Sequence, residues 1–365
     1  MRILQISSAE TFGGGERHFT DLCRGLMEAG NEVFAAVRYG NEWENEIEFL
    51  PASNVFHLSL ANSLDLLSAR RLSKIIRDNK IDIVHAHAAR DYPVASVAVR
   101  LSPPVKLVLS RHVIFPMKNL HKLVLKNVDR VIAVSEPTAT HLRKVFPPEK
   151  IAVISNGINI EKNGNDAAGK EFRFEHNIPY DVPLIGIVGE LGEVKRQKDF
   201  LLAAEIIKKE LSDAMFVSTG MDRAIGQPYR RDLKRLEKIL GLQGSVVWLD
   251  WVNDMSPFYS ALDLLVSASS TESFGLAISE AMGSGTAVVA TRTEGASELI
   301  EDGVTGRLVP IGEPVETAKA VLELFENPEL RSSIGDNARV YAVSNLGLDR
   351  MVSSIIELYN EILEF

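Results

Sequence analysis

Two carboxylates eight residues apart, Glu272 and Glu280, stand in the segment TESFGLAISEAMGSGTAVVATRTEGASELIEDGVTGRLVP over 271–310. With Ser273 as the cap of a helix whose first turns include Phe274 to Ala277, Glu272 falls in the preceding loop and Glu280 about two turns along the helix. The two carboxylates then occupy different faces. The backbone amides near Phe274, Gly275 and Leu276 point out of the helix N-terminus, where the dipole favours an anion such as a diphosphate. Gly275 lets that anion approach without a Cβ in the way. One glutamate can accept hydrogen bonds from sugar hydroxyls on one side of the phosphates, and the other from ribose hydroxyls on the opposite side.

Other residues are less specific. Lys195, Arg196 and Lys198 form a basic run that on its own reads as solvated surface. Gly13, Gly14 and Gly15 make a tight loop between the first strand and the first helix, as a phosphate or acceptor contact requires, which makes Gly14 and Gly15 candidate donor contacts. The spacing is not G-x-G-x-x-G, and the second strand ends in Val37, Arg38 and Tyr39 with no acid for a ribose, so a dinucleotide site lacks both of its markers. His85 and His87 alternate on a strand; with no cysteine or further ligand cluster beside them, they read as packed or cleft-lining side chains rather than metal ligands. Cys23 reads as a small buried apolar residue.

The elements that must position these residues alternate. MRILQIS (1–7) reads as a buried strand, Glu16 to Ala29 as an amphipathic helix stopped by Gly30, and Glu32 to Arg38 as a second strand. Short apolar runs at Ile81 to His85, Val105 to Leu109, Arg130 to Val134 and Lys150 to Ile154 follow, separated by helical patterns such as Leu67 to Arg77 and Thr138 to Val145. Residues 159–182 are polar and rich in Asn and Gly, and read as a linker. Alternation restarts at Leu184 to Val188 and continues through Ala214 to Ser218, Ser245 to Leu249, Leu262 to Ser267, Ala287 to Ala290 and Arg307 to Val309. The chain from about Pro314 is helical in pattern. The expected fold is α/β: two Rossmann-like, doubly wound parallel-sheet domains, 1–165 and 166–345, whose sheet edges face a cleft. Such a pattern alone fits a nucleotide-sugar enzyme, a dehydrogenase or a two-lobed binding protein.

Composition narrows the classes. At 365 residues, with 45% hydrophobic and 24% charged, the chain is too long for one small module and is neither disordered nor membrane-embedded in character. No apolar run approaches the roughly 18–20 residues of a spanning helix, and Gln5, Ser7 and Ser8 interrupt the start too early for a signal-peptide core, so a cytoplasmic location is expected. A net charge of -9 argues against a general nucleic-acid partner. The charge is uneven: residues 1–165 hold 21 Lys and Arg against 17 Asp and Glu, whereas residues 166–365 hold 19 against 32. The halves are expected to face different partners.

The segment around Glu272 and Glu280 resembles the E-x7-E signature of retaining glycosyltransferases of the GT-B fold, and its surroundings resemble glycosyltransferase family 4. FGGGER (12–17), IDIVHAH (81–87), SRH (110–112), VDRVIAVSE (128–136), ISNGIN (154–159) and VGELGEVKRQKD (188–199) extend the resemblance over nearly the whole chain. The resemblance implies that Lys195 neutralises charge on the departing nucleotide diphosphate, that His112 stands near the transferred sugar, and that Gly220 and Val252 line the nucleotide. It also implies a donor-binding C-terminal domain, an acceptor-binding N-terminal domain, and a last helix, about 346–365, that crosses back onto the latter. No cofactor and no catalytic metal are implied; the nucleotide-diphosphate sugar is the substrate.

One position departs from the pattern. The family usually carries an arginine after the glycine matched by Gly189, and here Glu190 stands there, so either Arg196 compensates, the donor is held differently, or activity is reduced. The expected activity is transfer of a sugar to a glycan or lipid-linked acceptor of the cell envelope. A nucleotide-sugar 2-epimerase of the same fold and a non-catalytic sugar-nucleotide-binding homologue are the alternatives. FPMKNLHKLVLKN (115–127), with Lys118, Lys122 and Lys126 every fourth residue, reads either as an interfacial helix on an anionic membrane at its inner face or as an ordinary packed amphipathic helix.

Overall fold

In a computed structural model that describes residues 1–114, 117, 124–160 and 165–364, the chain forms two compact units. One comprises Met1–Gly157 with Leu348–Phe365, and the other Ile158–Gly347. The division thus falls before residue 165, just ahead of the polar stretch 159–182 read as a linker.

The first unit is built on a seven-stranded parallel sheet in the order β3-β2-β1-β4-β5-β6-β7. Its strands are β1 (Arg2–Ser7), β2 (Glu32–Arg38), β3 (Val55–Leu58), β4 (Ile83–Ala86), β5 (Lys106–Arg111), β6 (Arg130–Ala133) and β7 (Ile151–Val153). Its helices are α1 (Gly14–Glu28), α2 (Leu66–Asp78), α3 (Tyr92–Arg100) and α4 (Glu136–Leu142). Alternation along β1 sorts the two faces: Leu4 and Ile6 join the core beneath α2 and α3, whereas Ile3 joins the core beneath α1. Strand β3 was not expected, because VFHL is short and only partly buried.

The second unit carries a six-stranded parallel sheet in the order β10-β9-β8-β11-β12-β13. Its strands are β8 (Leu184–Val188), β9 (Met215–Thr219), β10 (Val246–Leu249), β11 (Leu264–Ser267), β12 (Ala287–Thr291) and β13 (Arg307–Val309). The helices are α5 (Asp166–Glu175), α6 (Gln197–Glu210), α7 (Pro228–Ile239), α8 (Ser256–Ala261), α9 (Leu276–Ser284), α10 (Glu294–Leu299), α11 (Pro314–Glu326) and α12 (Pro328–Asn345). In each sheet the strand order reverses once, between β1 and β4 and between β8 and β11. The carboxyl ends of the strands beside such a reversal are where ligands bind in this architecture.

Helix α5 corrects the reading of 159–182 as a linker. It lacks a long apolar stripe because a buried arginine, not a hydrophobic face, anchors it. Arg173 donates to Asp263 Oδ2 at 2.8 Å and to the carbonyls of Ala261, Pro179, Tyr180 and Val182. Asn165 caps its first amides, and a Cβ on Gly169 would lie 2.4 Å from Ser260 O, so glycine permits the close approach to α8.

The last helix, α13 (Leu348–Glu364), belongs to the first unit. It buries Met351, Val352, Ile355, Leu358, Tyr359 and Ile362 on the core that α1 covers. Each such side chain contributes about 1.5–3 kcal/mol relative to exposure. Among the described residues no helix is long and apolar enough to cross a membrane. The basic segment 115–127 lies mostly outside the described residues, Lys118 and Lys122 included; Lys126 is in a 3-10 turn (Leu125–Asn127) whose Leu125 is buried.

Candidate active site

The chemistry-bearing residues of the second unit collect at the β8/β11 reversal. Gly189 follows β8 directly, and Glu272 lies in the loop between β11 and α9. Lys195 Nζ donates to Glu272 Oε1 at 2.5 Å, and Ser269 Oγ donates to the same oxygen at 2.8 Å. Both members of the ion pair are largely shielded, with side-chain exposures of 26% for Lys195 and 14% for Glu272.

The basic run is divided by the fold, and this decides among its members. Arg196 Nε donates to Asp199 Oδ2 at 2.5 Å, and Lys198 donates to Glu193 at 2.9 Å while lying over the Tyr229 ring. Only Lys195 turns to the glutamate of the expected donor segment. Glu190, in place of the usual arginine, is exposed. Compensation by Arg196 would come from its Nη groups, since its Nε is held by Asp199.

The loop after β8 is held by a residue that sequence reasoning passed over. Gln197 is buried; its Nε2 donates to the carbonyls of Gly189 and Glu190, and its Oε1 accepts from Gly192 N at 3.2 Å. Gly220, at φ +144, packs directly on this loop: a Cβ there would lie 2.0 Å from Gly189 O. Gly220 therefore shapes the loop through backbone proximity. Val252 follows β10 in a segment where Trp251 is exposed and Asp250 pairs with Arg230.

Helix α9 begins later than the spacing suggested. Its N-cap is Gly275, in the left-handed region at φ +99, not Ser273, so Phe274 remains in the loop and is buried. Glu280 lies little more than one turn in, instead of two. The first intrahelical bond runs from Ser279 N to Gly275 O at 2.9 Å, and the amides of Leu276, Ala277 and Ile278 precede it. Those amides give α9 the anion-favouring end that the sequence assigned to Phe274, Gly275 and Leu276. Glu280 Oε2 accepts from Tyr259 OH at 2.8 Å, so the two carboxylates are separately held. Gly295 fixes the loop from behind: its N–H donates to Glu272 O at 3.0 Å, and a Cβ there would lie 2.8 Å from Glu272 O and from Phe274 N and O.

In the first unit, Gly14 and Gly15 open helix α1, with Gly13 as an extended N-cap, and do not form a three-glycine loop. The Lys195–Glu272 constellation is built from second-unit residues alone. Asp91 lies at the N-terminus of α3, where its Oδ2 accepts from Ser8 N at 2.9 Å. Burial is the chief cause that raises its carboxyl to about 6, against the Ser8 hydrogen bonds.

His112 follows β5, and its neighbours are histidines that are remote in sequence. The ring centroids of His18 and His112 are 4.6 Å apart, those of His18 and His87 5.5 Å, and those of His87 and His112 5.9 Å. Burial, more than neighbouring charge, lowers all three; His112 falls to about 4, with Arg111 adding to the effect. The imidazoles are neutral at physiological pH.

His85 and His87 have separate roles. His85 is enclosed, with Nδ1 bonded to Tyr359 OH at 2.6 Å and Nε2 to Ser110 Oγ at 2.8 Å. His87 Nε2 bonds to Gln5 Oε1 at 2.7 Å, and Gln5 Nε2 donates to Tyr359 OH at 3.3 Å. No spacing rule in the chain would have joined residue 18 or residue 359 to these histidines.

Comparison with known proteins agrees with this architecture. Residues 12–162 match the family described as Glycosyltransferase Family 4, and residues 169–341 match glycosyl transferases group 1. The lipopolysaccharide core biosynthesis glycosyltransferase LpsE of Rhizobium meliloti is 26% identical, over 95% of this chain and 95% of that protein. The N-acetyl-alpha-D-glucosaminyl L-malate synthase of Bacillus anthracis is 23% identical, over 98% of this chain and 96% of its own length. Anabaena HepE, solved with UDP and glucose, superposes with a TM-score of 0.86 at 22% identity, covering 99% of this chain and all of that one. That likeness establishes the two-domain, Rossmann-like GT-B fold.

Proposed function

Because the chain belongs to the glycosyltransferases, with a family 4 region followed by a group 1 region, we propose that it moves a sugar from a nucleotide-diphosphate sugar to an acceptor hydroxyl with retention of anomeric configuration. The observation that carries the reading is the Lys195–Glu272 pair beside the N-terminus of α9 at the β8/β11 reversal. A cation and a helix N-terminus on one side, with a carboxylate between them, suit a ligand whose diphosphate adjoins a sugar.

The bond to be broken joins the anomeric carbon to a phosphate oxygen, and its electron pair departs with the diphosphate. Lys195 and the first amides of α9 stabilise that growing charge; removing one such preorganised group costs about 2.7–4 kcal/mol of barrier in comparable sites. Glu272 accepts from sugar hydroxyls, and Glu280 from hydroxyls of the nucleoside. Acceptor recognition is assigned to the first unit, and the resemblance to family 4 supports His112 as a sugar contact. The acceptor is a glycan or a lipid-linked glycan of the cell envelope, a reading supported by the name of the Rhizobium relative. No metal at the diphosphate is required by this scheme.

The test is a panel of nucleotide sugars scored by thermal stabilisation, starting with UDP-glucose. A donor that binds the native state raises the melting temperature, and the same donor should be consumed only with wild-type Lys195. Stabilisation by nucleotide sugars without turnover of any, with or without acceptor glycans, would favour a non-catalytic binding protein.

A further inference from the structure

Three imidazoles meet in the first unit with more ring nitrogens than hydrogen-bond partners. His18 and His87 are 5% and 7% exposed, and His112 is half-buried. Both ring nitrogens of His112 and Nδ1 of His87 are buried without a partner at bonding geometry among the described residues, and the two of His18, likewise outside bonding geometry, have the Asn156 side chain nearby. An unpaired buried polar atom is costly. Such a gathering of unpaired ring nitrogens suits an occupant that satisfies several at once.

We propose that His18, His87 and His112 form a binding site for a divalent cation of the zinc type. One ring nitrogen from each lies within 4.8 Å of the other two. Tetrahedral coordination at the usual zinc–imidazole length of 2.0–2.1 Å brings such nitrogens to about 3.4 Å, so the site closes by ring rotation, chiefly of the less buried His112. Imidazole without carboxylate selects zinc, cobalt, nickel or copper over magnesium and calcium.

The surroundings have the form of a ligand-orienting shell. Gln5 Nε2 donates to Tyr359 OH, which turns Gln5 Oε1 toward His87 Nε2. That oxygen can only accept, so His87 Nε2 carries the proton and Nδ1 keeps its lone pair. A carbonyl that fixes the tautomer in this way is the usual support of a metal-ligating histidine. Tyr359 is itself held by His85, whose other nitrogen is bonded to Ser110, so the shell is anchored on β1, β4, β5 and α13 together. Three protein ligands leave one position of a tetrahedron for water or an acceptor hydroxyl. The proposal does not rest on the donor reading, since every residue it uses belongs to the first unit.

The experiment is titration of the full chain, freed of metal by chelator and dialysis, with cobalt(II), read by its visible ligand-field absorption and by bound metal per chain. Wild type should take up one cobalt with the intense band of four-coordination, and zinc should displace it. His18→Asn and His87→Asn should each weaken binding at least 100-fold, and Gln5→Leu 10- to 100-fold, whereas His57→Ala, outside the cluster, should bind as wild type does. Melting curves of the metal-free variants identify those that fold. His112→Asn, at the least buried ligand, supplies the same test should the buried variants not fold. Absence of the band at saturating cobalt, or cobalt retained unchanged in the folded His112→Asn protein, would overturn the proposal.

Discussion

Replacing Glu272 by Gln should separate binding from transfer in opposite directions. In the structure Lys195 Nζ is 2.5 Å from Glu272 Oε1, so a diphosphate that recruits Lys195 competes with that carboxylate and is repelled by it. Two unit charges about 4 Å apart at an effective dielectric near 20 interact by about 4 kcal/mol before desolvation is counted. The ammonium retains further donors, so only part of this is at stake; about 1 kcal/mol, a several-fold tightening of UDP, is the expected gain. Transfer should nevertheless fall about 100-fold, because the amide accepts more weakly from the sugar hydroxyls. Lys195→Ala should do the reverse for binding, weakening UDP about tenfold, and should lower kcat by 100- to 1000-fold, since the cation matters most as the diphosphate leaves. Calorimetric titration of UDP into wild type, the two single variants and the double variant forms the cycle. If Glu272→Gln weakens UDP as much as Lys195→Ala does, the carboxylate holds the nucleotide itself and the division of roles is wrong.

Gly295→Ala should lower kcat at least tenfold with a stability loss of about 1–3 kcal/mol, because the new methyl presses on the backbone at Glu272 and Phe274; unchanged kinetics in a folded variant would show that this loop need not be held. UDP affinity should be the same with and without excess EDTA, measured calorimetrically, since Lys195 and α9 are assigned the diphosphate; loss of binding restored by magnesium would refute this. Asp91, raised to about 6 by burial, favours its protonated form in the folded state, so its contribution to stability falls as pH rises from about 4 to about 6. That rise corresponds to about 3 kcal/mol, and Asp91→Asn should flatten denaturant-derived stability between pH 4 and pH 7 by that order.

The sheets were legible because both faces of a parallel strand are buried, leaving short apolar runs between helical patterns. Helix α5 was not, because Arg173 anchors it through carbonyls and Asp263, which no apolar period reveals. The start of α9 was misplaced since Ser273 has the chemistry of a cap, whereas Gly275 takes that position through a left-handed backbone stabilised by tertiary packing. In the site, the residue types at 195, 272 and 280 were evident from spacing and resemblance. Which of Lys195, Arg196 and Lys198 faces Glu272 was not, because Asp199 and Glu193 select the other two. The histidine cluster was beyond reach, since it joins residues 18, 87 and 112 across three crossovers of one sheet and takes its support from Tyr359 on the last helix.

The central claim is retaining transfer from a nucleotide-diphosphate sugar, and the most direct measurement is the anomeric configuration of the first-formed product. Wild-type protein incubated with UDP-glucose carbon-13 labelled at the anomeric centre, or with whichever donor stabilises it most, should be followed by NMR with an acceptor glycan and, for slow hydrolysis, without one. The account predicts that the α-linked donor gives an α product, or α-glucose ahead of mutarotation, and that Lys195→Ala slows its appearance at least 100-fold. A β product, or a nucleotide sugar returned as its 2-epimer, would contradict it.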